Sequence, residues 1–245
     1  MAQAAAGVRP LSSVLKTFGV LEALAEARGS VRLADLARRM GMGRGSAYQK
    51  LVTLVRAGWV EQIEDGSFRL TLHATRIGNA ALEQASFGDR MVPFLHELMR
   101  ETGETASLAV LDGAQPCIVQ RVESGGVLRA ELRVGAALSL EHSASGRILA
   151  AFAAPYQLER LRQLGAVLPP AAVMAEARAK RFVTSSGESM PGIRAIGAPI
   201  FDPRDRCIAA LTLVGPLPRF DVVKHREALT RTAERINAFI RGHQA

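Results

Sequence analysis

Apolar residues recur every three or four positions through the first part of the chain, and this spacing predicts amphipathic helices. The first helix is predicted to begin at Pro10 and to end at Gly29. Its single apolar stripe comprises Leu11, Val14, Phe18, Leu21 and Ala25. A second, shorter helix follows, and its predicted buried side comprises Leu33, Leu36, Ala37 and Met40.

A glycine-rich turn over residues 41–45 separates the second helix from a third, because glycine reaches positive φ angles that other residues resist. The third helix is predicted to end near Ala57, and its inward side comprises Ala47, Leu51, Leu54 and Val55. Two short strands follow at 59–63 and 68–70, joined by an Asp-Gly turn typical of hairpins. Three helices and a hairpin in this order predict a winged helix-turn-helix.

The pattern changes after residue 71. Residues 72–88 contain little that breaks a helix and predict a linker helix between domains at 1–71 and 89–245. Strand-like runs are predicted at 105–111, 117–122, 128–134, 181–184, 193–201 and 207–214. Helices are predicted at about 145–153, 155–165, 170–180 and 222–240. This order indicates an α+β fold in which helices flank an antiparallel sheet.

Positive charge is concentrated in the predicted helix-turn-helix. Residues 28–56 hold seven basic side chains and one acid, a local charge of +6 out of +8 for the whole chain, whose sequence pI is near 10.4. A compact helical unit with this charge needs a polyanion to neutralise it, and double-stranded DNA is the natural candidate.

The third helix carries side chains suited to reading a major groove. Arg44 can bond guanine, Gln49 can bond adenine, and Ser46 can contact a base or a phosphate. The phosphate contacts are predicted to be Arg38, Arg39, Lys50 and Arg69. The predicted DNA-contacting set is completed by Gly45, Tyr48 and Thr53.

Several patterns that resemble other chemistry are better explained structurally. The glycines at 41–45 resemble a nucleotide-binding loop, but no strand precedes them and Ser46 stands where a third glycine is needed. Glu141, His142 and Ser143 are adjacent in sequence, so they point in different directions and form no relay by themselves. The five histidines and two cysteines lack metal-ligand spacing. We predict no enzyme activity, no metal and no cofactor.

Three features bear on cellular location. Cys117 and Cys207 cannot make a disulfide framework, so a reducing compartment is expected. The N-terminal residues lack the basic and apolar regions of a signal peptide. No apolar run approaches the roughly 20 residues that a membrane-spanning helix requires. These features predict a cytoplasmic protein with no membrane partner.

The C-terminal half is larger than a DNA reader requires. A sheet domain joined by one helix to a DNA-binding head suggests a small-molecule sensor, an oligomerisation module, or both. Residues 141–147 lead directly into a helix at Ile148, so free backbone N–H groups suited to a carboxylate are expected there. Simple capping of that helix by Ser143 or Ser145 is an equal alternative.

The chain resembles bacterial transcriptional regulators of the IclR type. The resemblance lies in LADLARRMGM, SAYQKLVTL and GWVEQ in the head, and in GIRAIGAPIFDP and ALTLVGP near the C-terminus. It covers nearly the whole chain. It implies a winged helix-turn-helix joined to a GAF-like effector-binding domain, usually in dimers or tetramers, that controls catabolic operons in response to a small organic acid or aromatic compound.

Carried over by position, the resemblance implies an effector pocket lined by Ala144, Ser145, Gly146, Ser185, Glu188, Ala195, Thr212 and Val214. The chain departs from acid-binding members at Ser185, Ala195 and Val214, where acidic, cysteine and serine side chains are common. These changes remove polar partners, so we expect an effector that is more apolar or larger than a two- or three-carbon keto acid. In the head, Gly43, Gly45 and Gln49 also depart from common residues, which leaves the operator sequence open.

We therefore expect a ligand-responsive transcriptional regulator, a repressor rather than an activator, that binds a palindromic operator as a homodimer or homotetramer. One alternative is a constitutive architectural DNA-binding protein whose C-terminal domain only oligomerises. A filled interior around Ala195 and Thr212 would favour that alternative, and a cavity there would favour sensing. A hydrolase with an accessory DNA-binding head is a second alternative, which the missing catalytic constellation disfavours.

Overall fold

The computed structural model describes residues 9–27, 29–84, 87–125 and 133–242. The chain divides into two compact units, Met1–Ala81 and Leu82–Ala245. The first unit is helical with one hairpin, and the second is built on a larger sheet. Each unit has its own buried core.

The N-terminal unit is a winged helix-turn-helix, as predicted. Its elements are α1 (Ser12–Glu26), α2 (Leu33–Arg39), α3 (Arg44–Arg56), β1 (Val60–Gln62) and β2 (Phe68–Leu70). The two strands pair antiparallel. The Asp65 carboxylate closes their turn by accepting hydrogen bonds from the Ser67 amide at 2.8 Å and the Ser67 hydroxyl at 2.6 Å. Gly66, at φ +79°, supplies the left-handed backbone conformation that the turn needs.

The buried face of α1 differs from the predicted apolar stripe. Its buried residues are Val20, Ala23 and Leu24. Four members of the predicted stripe are exposed, namely Leu11, Val14, Phe18 and Ala25. The core of this small unit closes around the C-terminal half of α1, so the described residues leave most of the N-terminal half uncovered. The prediction for α3 is also wrong at one position, because Val55 is predicted to face inward and is exposed.

A helix follows the hairpin, as predicted, and this α4 spans His73–Gln84. It is shorter than the predicted 72–88 linker. None of its residues is buried. At its start the His73 ring packs edge-on against Trp59, with ring centroids 4.8 Å apart.

The C-terminal unit is an α+β domain. Its strands are β3 (Thr105–Asp112), β4 (Gln115–Val122), β5 (Val183–Ser186), β6 (Ile193–Phe201) and β7 (Cys207–Pro216). They form one antiparallel sheet in the order β4-β3-β7-β6-β5. Its helices are α5 (Val92–Thr102), α6 (Ala144–Ala151), α7 (Pro155–Gln163), α8 (Ala171–Lys180) and α9 (Val222–Gly242). The strand predicted at 128–134 lies, except for its last two residues, outside the described ranges.

The two faces of this sheet carry different neighbours, because side chains alternate along each strand. On one face, Leu108, Ile196 and Leu211 pack with α5 and α9 in the main core. Full burial of each such side chain stabilises the fold by roughly 1.5–3 kcal/mol. On the other face, Ala195 and Ala210 pack with α6. Their small side chains leave room on that face.

Three ionisable side chains in the described part of the C-terminal unit are classed as buried, namely Glu104, Asp202 and His225. Burial raises the pKa of the Glu104 carboxyl, and the Arg219 guanidinium 3.4 Å away opposes that shift. His225 is 4 % exposed, and its ring lies edge-on to Phe220 with centroids 4.5 Å apart. Neither ring nitrogen of His225 has a hydrogen-bond partner within the described residues. Burial lowers the pKa of His225, so the imidazole is held neutral.

Candidate DNA-binding surface and effector cavity

The residues predicted to contact DNA from α3 lie on its exposed surface, and they comprise Arg44, Gly45, Ser46, Tyr48, Gln49 and Thr53. The opposite side of the helix is anchored by Ala47, Leu51 and Leu54, all of which are buried. The helix is therefore fixed by its apolar side and presents its polar side to solvent.

The turn before α3 fixes where that helix begins. Gly41 adopts a left-handed conformation at φ +58°. The Met42 amide donates a hydrogen bond to the Ala37 carbonyl at 3.0 Å, which ties the turn to α2. No side chain caps the start of α3 within the described residues. Its first backbone N–H groups therefore remain directed at solvent.

Two of the predicted phosphate contacts are paired with acids. Arg38 Nη2 lies 2.5 Å from Asp35 Oδ1, and Arg69 Nε lies 2.6 Å from Glu61 Oε1. All four side chains are substantially exposed. Exposed pairs of this kind contribute at most about 1 kcal/mol, so a phosphate can replace the acid at small cost.

Two further predicted contacts are bonded along α3 itself. Lys50 Nζ lies 3.1 Å from the Ser46 hydroxyl, and the Thr53 hydroxyl donates to the Gln49 carbonyl at 2.8 Å. Arg39, at the end of α2, is exposed. The structure thus brings the predicted residues of α2 and α3 together on one helix-turn-helix, with Arg69 on the hairpin.

A cavity lies against the α6 face of the sheet in the C-terminal unit. Its volume is about 40 Å³. That is room for several waters or a ligand of a few heavy atoms, and less than the roughly 150 Å³ of a cavity known to hold benzene. Its lining comprises Ser107, Ile118, Leu138, Ser143, Ala144, Ser145, Ser185, Ser189, Met190, Ile193, Ala195, Thr212 and Val214. Six of these residues carry a hydroxyl and none carries a charge.

Strand register explains why the cavity lies here. Thr212 stands opposite Gly197 on β6, and a Cβ atom at Gly197 would lie only 3.2 Å from the Ala144 carbonyl oxygen. Glycine therefore allows α6 to approach the sheet closely. Two residues further along β7, Val214 stands opposite Ala195 on β6, and Ala195 in turn stands opposite Ser185 on β5. These positions share the sheet face that meets α6 and line the cavity together.

The first turn of α6 is capped by Ser143. Its hydroxyl accepts a hydrogen bond from the Gly146 amide at 2.9 Å and donates one to the Ser139 carbonyl at 2.6 Å. The capping expected from the sequence is therefore confirmed for Ser143. Ala144 and Ser145 line the cavity, and their amides belong to the helical turn whose N–H groups have no carbonyl partner within the helix.

Two residues expected to line the cavity do not lie in its lining, Gly146 and Glu188. Gly146 is required by packing, since a Cβ there would lie 2.4 Å from the carbonyl oxygens of Ser139 and Leu140. Carrying positions over from a family cannot reveal such a packing role, because it depends on the direction in which each atom points.

Glu188 is engaged with Arg147 rather than with the cavity. Arg147 Nη2 lies 3.3 Å from Glu188 Oε1, and the Ser186 amide donates to the same carboxylate. Arg147 also donates to the carbonyls of Glu141 at 3.0 Å and Thr184 at 2.8 Å. Burial alone would raise the pKa of Glu188, but these hydrogen bonds and Arg147 lower it overall, so the carboxylate stays ionised.

Sequence reasoning missed three hydroxyls in the lining, those of Ser107, Ser143 and Ser189. The position of Ser107 could have been predicted from the sequence. It lies between Ala106 and Leu108 of β3, which face the main core, so its side chain is directed to the opposite face, which meets α6. The additional hydroxyls make the cavity more polar than the substitutions at Ser185, Ala195 and Val214 suggested.

The candidate relay at 141–143 is not assembled. His142 Nε2 lies 3.3 Å from Glu141 Oε2, but the Ser143 hydroxyl bonds the Ser139 carbonyl instead of His142. No cluster of three metal-ligating side chains occurs within the described ranges. Burial raises the pKa of Cys207 to about 12, which makes its thiol a poor nucleophile. No helix of the described residues is long and apolar enough to cross a membrane.

A winged helix-turn-helix followed by a sheet domain with an internal cavity defines a DNA-binding regulator. Family models agree: "IclR helix-turn-helix domain" matches residues 13–64, and "Bacterial transcriptional regulator IclR C-terminal" matches residues 79–238. The chain belongs to the IclR family of bacterial transcriptional regulators. The family and the fold predicted from the sequence are thereby confirmed. The matched family is one of transcriptional regulators rather than enzymes.

The relatives are matched over most of their length. The HTH-type transcriptional regulator BhcR of Paracoccus denitrificans is 30 % identical over 89 % of this chain and 81 % of its own. The transcriptional repressor IclR of Escherichia coli is 29 % identical over 85 % of this chain and 81 % of its own. An IclR homologue from Microbacterium hydrocarbonoxydans, solved with 4-hydroxybenzoate, shares the fold at a TM-score of 0.79 and 24 % identity over 93 % of this chain and 98 % of its own.

Proposed function

We propose that this protein is a ligand-responsive repressor of a catabolic operon, which binds a palindromic operator through α3 and senses a small organic acid or aromatic metabolite in the cavity. The observation that carries the proposal is the presence of both parts in one chain. The N-terminal unit presents an exposed basic helix, and the C-terminal unit contains a cavity lined by hydroxyls. The cytoplasm, where operator DNA is accessible, is the proposed location.

The proposed DNA contacts follow from exposure and chemistry. Arg44 and Gln49 would reach base edges in the major groove, and Arg38, Arg39 and Arg69 would hold phosphates. The exposed acid pairs of Arg38 and Arg69 support this assignment, because each can be exchanged for phosphate. Repression rather than activation is favoured by the E. coli relative, which is itself a repressor.

A two-fold operator requires at least a dimer. The exposed apolar side chains of Leu11, Val14, Leu15 and Phe18, at the start of α1, support one, since contiguous exposed apolar groups mark protein–protein contacts. Phe18→Ser is expected to shift the protein toward the monomer in light scattering while leaving its circular dichroism unchanged. An unaltered mass would remove α1 from the proposed interface.

The cavity supports sensing over a constitutive architectural role, because space rather than side chains occupies the region around Ala195 and Thr212. A carboxylate is proposed to meet the Ala144 and Ser145 amides at the start of α6. At about 40 Å³ the cavity suits a small acid as it stands. An aromatic acid such as the 4-hydroxybenzoate bound by the Microbacterium homologue would need the lining to open.

Fluorescence anisotropy with promoter DNA from beside the gene tests the proposal. We expect affinity that falls steeply with salt and exceeds the affinity for unrelated DNA of equal length. A thermal-shift screen of carboxylic acids and aromatic catabolites should yield a ligand that raises the melting temperature and changes operator affinity. Affinity for all DNA alike, with no ligand response, would favour the architectural alternative.

A further inference from the structure

We propose that the Ser107 hydroxyl determines the specificity of the cavity by donating a hydrogen bond to a carbonyl or hydroxyl oxygen of the effector, with Thr212 holding it in position. The effector would then be a monocarboxylate that carries a further oxygen atom. This inference rests on the proposed sensing role of the cavity.

The two hydroxyls form a buried pair at the sheet. Ser107 on β3 and Thr212 on β7 stand directly opposite each other, and their side-chain oxygens lie 2.8 Å apart. They are 5 % and 2 % exposed, and both line the cavity. The position next to Thr212 on β6 is Gly197, so no side chain from that strand stands beside the pair.

The pair can be satisfied with or without a ligand. In one arrangement Ser107 donates to Thr212 Oγ1, and Thr212 donates to the Ser107 carbonyl, 3.4 Å away. In the other, Thr212 donates to Ser107 Oγ, and the Ser107 proton becomes available to the cavity. Rotation about two C–O bonds converts one arrangement into the other without moving a heavy atom. The hydrogen bond that is lost is the 3.4 Å bond from Thr212 to the Ser107 carbonyl, and losing a bond of that length costs little.

Charge does not provide this selectivity. None of the lining side chains is charged, and the nearby Arg147 is committed to Glu188 and to two backbone carbonyls. The Ser143 hydroxyl is consumed by capping, since it both accepts and donates a hydrogen bond. An analogue that lacks the matching oxygen leaves the pair in its first arrangement, so it forgoes the hydrogen bond from Ser107 and binds more weakly by the net value of one hydrogen bond.

Isothermal titration calorimetry on the full chain with matched acids tests the inference. The probes are butanoate against 2-oxobutanoate, and benzoate against 4-hydroxybenzoate. For at least one pair, we expect the oxygen-bearing member to bind the native protein roughly 3- to 10-fold more tightly, the net value of one hydrogen bond. Ser107→Ala should abolish that preference while leaving the affinity for the other member within about twofold. Ser107→Cys, which keeps the volume but is a weak donor, should change the preference in the same direction.

Two further variants separate the roles. Thr212→Val leaves the Ser107 donor in place and should reduce the preference less than Ser107→Ala does. Thr105→Val is the matched control, because Thr105 is a buried hydroxyl on the same strand face that bonds Ser124 at 3.3 Å and does not line the cavity. It should leave the preference intact.

Three outcomes would overturn the inference. An undiminished preference in Ser107→Ala overturns it alone and leaves the proposed sensing role standing. A larger loss in Thr212→Val than in Ser107→Ala would make Thr212 the donor instead. Failure of every probe to bind the native protein would overturn the proposed acid-sensing role and this inference with it.

Discussion

The DNA-binding unit and the cavity present opposite kinds of polar group. On the helix-turn-helix and its hairpin, the cationic groups of Arg38 and Arg69 are exposed and paired with exposed acids, and Lys50 bonds Ser46 of its own helix. In the cavity, the polar groups are neutral hydroxyls, and Ser107 and Thr212 are buried and bonded to each other. Exposed charge attracts a polyanion over distance and is screened by salt. Buried hydroxyls act only at contact, are indifferent to salt, and discriminate by geometry.

The helix beside the cavity can be disrupted without changing the side chains that are proposed to contact DNA. In Gly146→Ala the new methyl would lie 2.4 Å from the carbonyl oxygens of Ser139 and Leu140, which are backbone atoms and cannot rotate away. We expect destabilisation of about 1–3 kcal/mol or more in urea unfolding followed by circular dichroism. Gly78→Ala on α4 is the control: it meets no heavy atom within 4 Å and should stabilise by up to about 1 kcal/mol. Equal stability of the two variants would show that the loop before α6 yields freely.

The converse change affects DNA binding alone. Arg44→Ala should weaken operator binding by about 1–3 kcal/mol if the guanidinium reads a base, with no change in melting temperature. Anisotropy at fixed salt measures the loss. Arg162→Ala, which removes another exposed arginine, from α7, is the control for net charge. Equal losses in both variants would mean that overall charge, and not the position of Arg44, governs affinity.

Acid should destabilise the C-terminal unit through His225. Burial lowers its pKa, so the stabilisation is fully present above the unfolded value of 6.5 and is lost as the pH falls from there toward the folded pKa. The contribution of Glu104 to the pH dependence of stability has the opposite sign. Its pKa is raised in the folded state, so protonation at low pH favours folding. His225→Leu should therefore reduce the difference in unfolding free energy between pH 7.5 and pH 5.5. Thr232→Val, which changes another buried polar side chain of α9, is the control and should leave that difference as it is.

The smallest expected effect concerns the hairpin. Arg69→Ala should reduce the slope of log affinity against log salt by about 1, with a change in stability below about 0.5 kcal/mol. Glu61→Gln releases Arg69 from its acid and should tighten DNA binding slightly. A salt slope that is unchanged in Arg69→Ala would remove the hairpin from the DNA contacts.

Local pattern was sufficient for most of the fold. The helix-turn-helix, the hairpin and β3–β7 follow from periodicity and turn residues, because each repeats a local geometric rule. The buried face of α1 did not follow, since Leu11 and Val20 are equally apolar and only the size of the core decides which is covered. Thr212 and Ala195 could be placed by resemblance. Glu188 could not, because its direction depends on Arg147, which lies far away in sequence.

The three hydrogen bonds of Arg147 join segments that are distant along the chain. One guanidinium holds the carbonyl that precedes α6, an edge strand, and the acid next to Ser189 in the cavity wall. The cavity wall at Ser189 and the segment that leads into α6 are therefore tied together through a single side chain.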